Sequence, residues 1–246
     1  MFLKVAVSSL LSRKGSAVMT LMAISVAIFV LLGIEQIRQQ ARDSFASTVS
    51  GVDLIVGAKT GSLNLLLYSV FRIGSPTDNI SWQAYRDIAD SDDVAWAIPI
   101  SLGDSHEGYR VVGTTQAFFE HFSFGKKRSL AFFEGEAFEG TFDAVLGSEV
   151  ASALGYSVGT EIILAHGLAS TSFTKHDNQP FVVVGILAPT GTPVDQTIHV
   201  RLEGIEAMHA GGSTVPIGAF TLANAPDADF SKPERITAFM LGLKSR

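Results

Sequence analysis

Hydrophobic and polar positions are arranged very differently in the first fifth of this chain and in the rest. From Gly15 to Ile34 the sequence reads GSAVMTLMAISVAIFVLLGI, twenty residues without a charge and with only Ser16, Thr20 and Ser25 polar. A soluble core helix of that length carries a polar stripe; this run carries none and has the length a helix needs to cross about 30 Å of hydrocarbon. It predicts a membrane span over residues 15–34. A cleaved signal peptide fits less well, because its apolar region is about 7–15 residues and EQIRQQARD behind the run offers no small-x-small site.

The flanks continue the helical period. Phe2, Val5, Ala6, Ser9 and Leu10 recur on one face, with Lys4, Arg13 and Lys14 available to headgroups, so residues 1–14 read as an amphipathic interfacial helix. Beyond the span, Ile34, Ile37, Ala41, Phe45 and Val49 repeat every three or four positions and predict a stalk helix over residues 35–49.

After residue 50 the period changes and short elements alternate. LNLLLYSVF reads as a short buried helix, and WQAYRDIADS as a second, capped by Asn79 or Ser81. VAWAIPISL and YRVVGTT read as strands of a hairpin turning through Gly103–Gly108, followed by a short aromatic helix, QAFFEHF. A β-α-β run follows in AVLG, SEVASALGY with Ser148 as its cap, and TEIILAHG; FVVVGIL, TIHVRL and RITAFMLGL add strands, and EGIEAMHA a brief helix. The polar segment 167–179 is the expected mobile loop. The fold class is therefore α+β: one N-terminal membrane helix with a stalk, then a mixed α/β domain of two subdomains over residues 50–246.

Charge sharpens this division. No Asp or Glu precedes Glu35, and three basic residues give the first segment +3; with −6 overall, −9 remains for the rest. A basic anchor joined to an acidic body is expected to place its N-terminus in the cytoplasm and its body outside. The acidic balance leaves nothing extended and basic to follow nucleic-acid phosphates. Cysteine is absent, so there are neither disulfides nor thiolate metal sites.

Candidate chemistry thins out on inspection. VDLIVGAKTGS invites comparison with a phosphate-binding loop, but Ala58 precedes Lys59-Thr60 and Asp53 stands where the earlier glycine belongs. LGSEV has a glycine before Ser148, but Val150 replaces the glycine a nucleophile elbow needs after it. The six histidines never fall three or four apart on one element, and pairs such as His166 with His176, or His199 with His209, meet only if the fold brings them together. The run Asp87–Asp93 has no metal-ligand spacing. No catalytic residue, cofactor-binding residue or metal ligand is assigned. In ILAPTGTPVDQTIHV, Pro189 and Pro193 fix their own φ angles and Gly191 allows an unusual one, so residues 189–193 read as a stiff corner presenting threonines at the surface.

Three blocks, DLIVGAKTGSLNLLLYSVFRIGSPTDNIS, VLGSEVASALGYSVGTEIILAHG and FVVVGILAPTGTPVDQTIHVRLEGIEAMH, resemble bacterial ABC transporter permeases of the MacB/FtsX type, in their periplasmic core domain. The resemblance implies a non-enzymatic permease subunit in the bacterial inner membrane. It implies a first membrane helix, a periplasmic domain and three further membrane helices, working as a dimer with a second permease copy. ATP hydrolysis by separate or fused cytoplasmic ATPase domains would be coupled to work on peptides, lipoproteins or partner proteins in the periplasm. Three further spans are not found here, so the periplasmic domain is expected to be incomplete at its C-terminus and the chain a truncated product or fragment. The alternative is a membrane-tethered binding or adaptor module without transport activity.

Overall fold

The computed structural model describes residues 12–166, 180–211 and 233–244, the side chains of residues 40–47, 166 and 210–211 excepted. The chain divides into two units, residues 1–46 and residues 47–246.

The first unit is dominated by helix α1, Lys14–Thr48, whose 35 residues run unbroken through the predicted span and stalk. Its stretch Lys14–Gln39 is long and apolar enough to cross a membrane, at 26 residues, and none of it is buried. Met19, Leu21, Met22, Phe29, Leu31 and Leu32 are all exposed, which distinguishes it from a soluble core helix. One of its few hydroxyls is satisfied within the helix, where Thr20 Oγ1 donates to the carbonyl of Ser16 at 2.9 Å, the arrangement an apolar solvent demands. Residues 1–11, which carry most of the expected interfacial helix, lie outside the described residues.

The second unit is built on one ten-stranded sheet. Its elements are β1 (Leu54–Gly57), α2 (Ser62–Ser69), β2 (Ile80–Ser81), α3 (Trp82–Ala89), β3 (Val94–His106), β4 (Tyr109–Thr114), α4 (Ala117–His121), β5 (Ser123–Phe124), β6 (Arg128–Ser129) and β7 (Phe132–Gly135). They continue with β8 (Asp143–Leu146), α5 (Ser148–Leu154), β9 (Glu161–Ile162), β10 (Ala165–His166), β11 (Phe181–Leu187), a 3₁₀ turn at Pro193–Gln196, β12 (Thr197–Arg201), α6 (Leu202–Gly211), β13 (Arg235–Ile236) and β14 (Ala238–Leu243). The strand order is β1-β14-β3-β4-β12-β8-β11-β7, with β10 added to β3 and β9 to β11.

Strand β3 is the spine. Its first half pairs with β14, from Val94 opposite Leu243 to Ile100 opposite Ala238, and its second half pairs with β4. The mixed α/β body thus has two strand groups sharing one long strand. The hairpin is longer and its turn tighter than the sequence implied. β3 runs through Gly103 with a bulge between Leu102 and Ser105, and reverses at Glu107-Gly108, both of positive φ at 48° and 84°, the backbone of a type I′ hairpin turn.

Alternation of side chains sorts the core into two faces. Val112, Val145, Leu187, Ile98 and Ile100 pack with the aromatics Phe118, Phe119 and Phe122 of the α4 region, while Val111, Ala144, Leu146, Ile198 and Val200 pack with Phe181, Ile205 and Met208. A third cluster gathers Tyr85 of α3 with Phe239 and Leu241 of β14. Helix α2 is only partly covered: Tyr68 and Ser69 are buried at its end, but Leu63 near its start is exposed. Ser81 caps α3, its hydroxyl accepting the Ala84 N–H at 3.2 Å.

Candidate functional site

The corner between β11 and β12 is organised by a residue that no motif marks. Asp195 is 8% exposed, and its carboxylate accepts the Thr190 N–H at 2.9 and 3.1 Å, the Gly191 N–H at 2.7 Å and the Thr190 hydroxyl at 2.9 Å. With its proton committed to Asp195, the Thr190 oxygen accepts the Thr192 N–H at 3.1 Å and the Thr192 hydroxyl at 2.7 Å. The Thr192 oxygen in turn accepts the Val194 N–H at 3.3 Å and caps the 3₁₀ turn. Every hydroxyl in this chain therefore has a fixed direction. The stiff corner expected from Pro189, Gly191 and Pro193 is present, with Gly191 at φ 71°, but its threonines turn inward onto Asp195. The amides that an anion would need are already occupied, so the corner is a brace.

The brace meets the strand-to-helix turn after β8. Gly147 donates its N–H to the Thr197 carbonyl at 2.9 Å, and a Cβ on Gly147 would lie 2.2 Å from the Val194 carbonyl oxygen and 2.4 Å from that of Asp195. Only glycine fits this approach. Ser148 was expected to cap α5; the cap position is instead Gly147, which makes no side-chain cap bond, and Ser148 is the first helical residue. Helix entry here is set by close backbone packing at Gly147, which excludes a side chain at the cap position. Glu149 is tied to the brace as well, accepting from the Gln196 amide at 3.0 and 3.1 Å.

The histidines are scattered among different environments. His106 contacts the Ile163 carbonyl at 2.7 Å and the Tyr156 hydroxyl at 3.0 Å. His209, on α6, faces Asp104 at 3.6 Å; hydrogen bonding to Asp104 raises its pKa, with the charges of Asp104 and Glu206 acting the same way against partial burial. His199 and His209 therefore do not form a pair, and His176 lies outside the described residues, as does the segment 167–179. Among the described residues no group of three or more His, Cys, Asp or Glu side chains is arranged to hold a metal ion.

His199 is different in kind. It is fully buried in the middle of the sheet, stacked on Phe118 at 4.7 Å with Phe119 edge-on at 6.1 Å. Neither ring nitrogen has a hydrogen-bond partner of good geometry. Burial, reinforced by the Arg72 charge and opposed by the Val145 backbone, pushes its pKa down to about 3, so the ring is neutral at physiological pH. Arg110 lies on the same face of the adjacent parallel strand, paired with Thr197 just as Val112 is paired with His199. Arg110 and His199 come onto one face only through the β4–β12 register, which no local sequence signal marks.

Where chain enters and leaves the body, the contacts are dense. Ser50 donates its N–H to the Ser123 carbonyl at 2.8 Å and its own carbonyl accepts the Ser123 hydroxyl at 2.5 Å. Asp53 donates its N–H to the Leu241 carbonyl at 2.9 Å, and its carboxylate accepts the Leu243 N–H at 2.9 Å. β1 and β14 are antiparallel neighbours, so the residues following α1 and the residues ending β14 are held side by side.

Comparison with known proteins gives a family assignment. The family model described as the MacB-like periplasmic core domain matches residues 17–229. No curated protein matches significantly. Among solved structures, the periplasmic region of MacB from Actinobacillus actinomycetemcomitans is similar at 9% identity and a TM-score of 0.46, over 79% of this chain and 77% of that one. The extracellular domain of the noncanonic ABC-type transporter YknZ from Gram-positive bacteria is similar at 10% identity and a TM-score of 0.42, over 68% and 74% respectively.

Proposed function

We propose, from the premise that the chain belongs to the family of MacB-like periplasmic core domains, that it is a membrane permease subunit of an ABC-type transporter. In this reading residues 1–14 lie at the cytoplasmic interface, 15–34 cross the inner membrane, 35–49 form a stalk and the body from residue 50 stands in the periplasm. Helix α1 and the β1–β14 edge carry movement between the membrane and the sheet. ATP is hydrolysed by a separate ATPase subunit, and a second permease copy completes the transport unit. The body does mechanical work on a peptide, lipoprotein or protein partner and needs no catalytic residue of its own.

The observation that carries this reading is the match of residues 17–229 to the MacB-like periplasmic core domain, together with a helical stretch, Lys14–Gln39, long and apolar enough to cross a membrane. Affinity isolation of the tagged chain from membranes of its own host tests it. Recovery of an ATP-binding-cassette subunit in stoichiometric amount is expected. Recovery of extracytoplasmic proteins alone would leave the tethered adaptor in its place.

A further inference from the structure

The hairpin of β5 and β6 carries three consecutive cations on an acidic body. Beyond residue 34 the chain has a formal charge of −9, the −6 overall less the +3 that precedes it. Against that background Lys126, Lys127 and Arg128 stand together, all exposed, above a base in which Ser123 faces Ser129 and Phe124 faces Arg128. None of the three forms an ion pair among the described residues. The Arg128 guanidinium lies over the Phe124 ring at 4.9 Å, a contact with the ring face that leaves its N–H groups to solvent. Lys127 has φ 56°, a backbone state that glycine or asparagine adopts more readily, so backbone preference does not account for a lysine there.

The same hairpin is fastened where the chain enters the body. Lys127 donates its N–H to the Ser50 hydroxyl at 3.2 Å, and Ser50 donates its own N–H to the Ser123 carbonyl at 2.8 Å. Ser50 lies two residues beyond the end of α1 at Thr48, so connectivity limits how far the cations stand from a bilayer. From Gln39, where the membrane-capable stretch ends, α1 runs about 14 Å to Thr48, and two further residues add at most about 7 Å. Headgroups fill roughly 6 Å of that distance, and lysine stems cover part of the rest. The stretch of 26 residues is about 39 Å long against about 30 Å of hydrocarbon, a mismatch that tilt relieves and that lowers the hairpin further. We propose that Lys126, Lys127 and Arg128 are a docking surface for anionic phospholipid headgroups, onto which α1 leans. Connectivity favours lipid over an acidic protein, because the bilayer is always within this short span of the hairpin. Docking gives orientation: an anionic surface repels the acidic body and attracts this one corner of it. The proposal rests on α1 crossing the membrane and not on an ATPase partner.

Energy transfer in the reconstituted full chain tests this, from a donor dye on Ser129→Cys to an acceptor on lipid headgroups. The vesicles are phosphatidylcholine alone or phosphatidylcholine mixed with phosphatidylglycerol. Transfer is expected to rise with phosphatidylglycerol at low salt, and the rise to vanish at high salt. Each basic residue at an anionic surface contributes about fivefold in partitioning. Replacing all three, by Lys126→Gln, Lys127→Gln and Arg128→Gln, should therefore weaken docking about a hundredfold and return transfer to its phosphatidylcholine value. Equal transfer in the two vesicle types, or a rise that the triple variant keeps, overturns the proposal; the first comparison decides even where the triple variant is unstable. A dye response to soluble polyglutamate but not to phosphatidylglycerol would assign the hairpin to an acidic protein segment and overturn it as well. Flotation with phosphatidylcholine vesicles at high salt reports the span separately. A chain that does not float loses its anchorage and the docking with it, whereas one that floats without responding to phosphatidylglycerol loses the docking alone.

Discussion

The carboxylate of Asp195 holds Thr190 by two groups at once, accepting its backbone N–H and its hydroxyl, each at 2.9 Å. This relationship converts a proline-flanked loop into a brace between β11 and β12. Asp195→Ala would leave the Thr190 and Gly191 amides without acceptors in a partly buried setting and release the hydroxyl chain. The expected loss is about 3 kcal/mol of stability, measurable by denaturant unfolding. Asp195→Asn keeps the shape and one acceptor oxygen and should cost about half as much.

Gly147 is predicted to be intolerant of any side chain. An alanine there places Cβ 2.2 Å from a backbone oxygen, and a backbone contact cannot swing aside as a flexible side chain would. Overpacking of this kind costs about 1–3 kcal/mol. Ser148→Ala, one residue on, removes no cap bond and should change stability by less than about 0.5 kcal/mol. A large effect at 148 with none at 147 in thermal unfolding would contradict the packing described.

The two histidines of the β12–α6 segment should act on stability with opposite signs. His199 has a folded pKa of about 3, below the ordinary value of about 6.5. Its neutral ring favours folding fully above pH ~6.5, and that contribution declines as pH falls toward 3, because the unfolded chain binds the proton more readily. His209 has a raised folded pKa through Asp104; its contribution is fully present below about pH 6.5 and is lost as pH rises through the folded value. Urea unfolding across pH 4–8 checks both. His199→Phe should flatten the decline on the acid side, and His209→Gln should remove a gain there.

Much of this architecture was legible from short-range pattern. Twenty uncharged residues announce the span, and runs such as FVVVGIL and TIHVRL are strands because β-branched residues are concentrated over the length of one strand. What escaped notice depends on contacts distant in sequence. β3 continues through Gly103 because β4 and β10 pair with its far half, although Gly103 looks like a turn residue locally. Asp195 reads as an ordinary polar residue until Thr190 folds back onto it. The Ser148 cap failed because Gly147 is pressed against the brace, a tertiary constraint that overrides a local preference. Two-residue strands such as β5 and β6 are too short to carry any period. Arg110 and His199 are far apart in sequence, and only the β4–β12 register brings them onto one face.

The position of the body relative to the membrane is the claim on which the rest depends, and the absence of cysteine makes it directly measurable. Single cysteines at Ser91, exposed in the turn before β3, and at Ser12, exposed ahead of α1, can be challenged with a membrane-impermeant maleimide in cells whose cytoplasmic membrane is intact. The account predicts that Ser91→Cys is labelled at once and Ser12→Cys only after lysis. Labelling of Ser91→Cys only after lysis would place the body in the cytoplasm and contradict it.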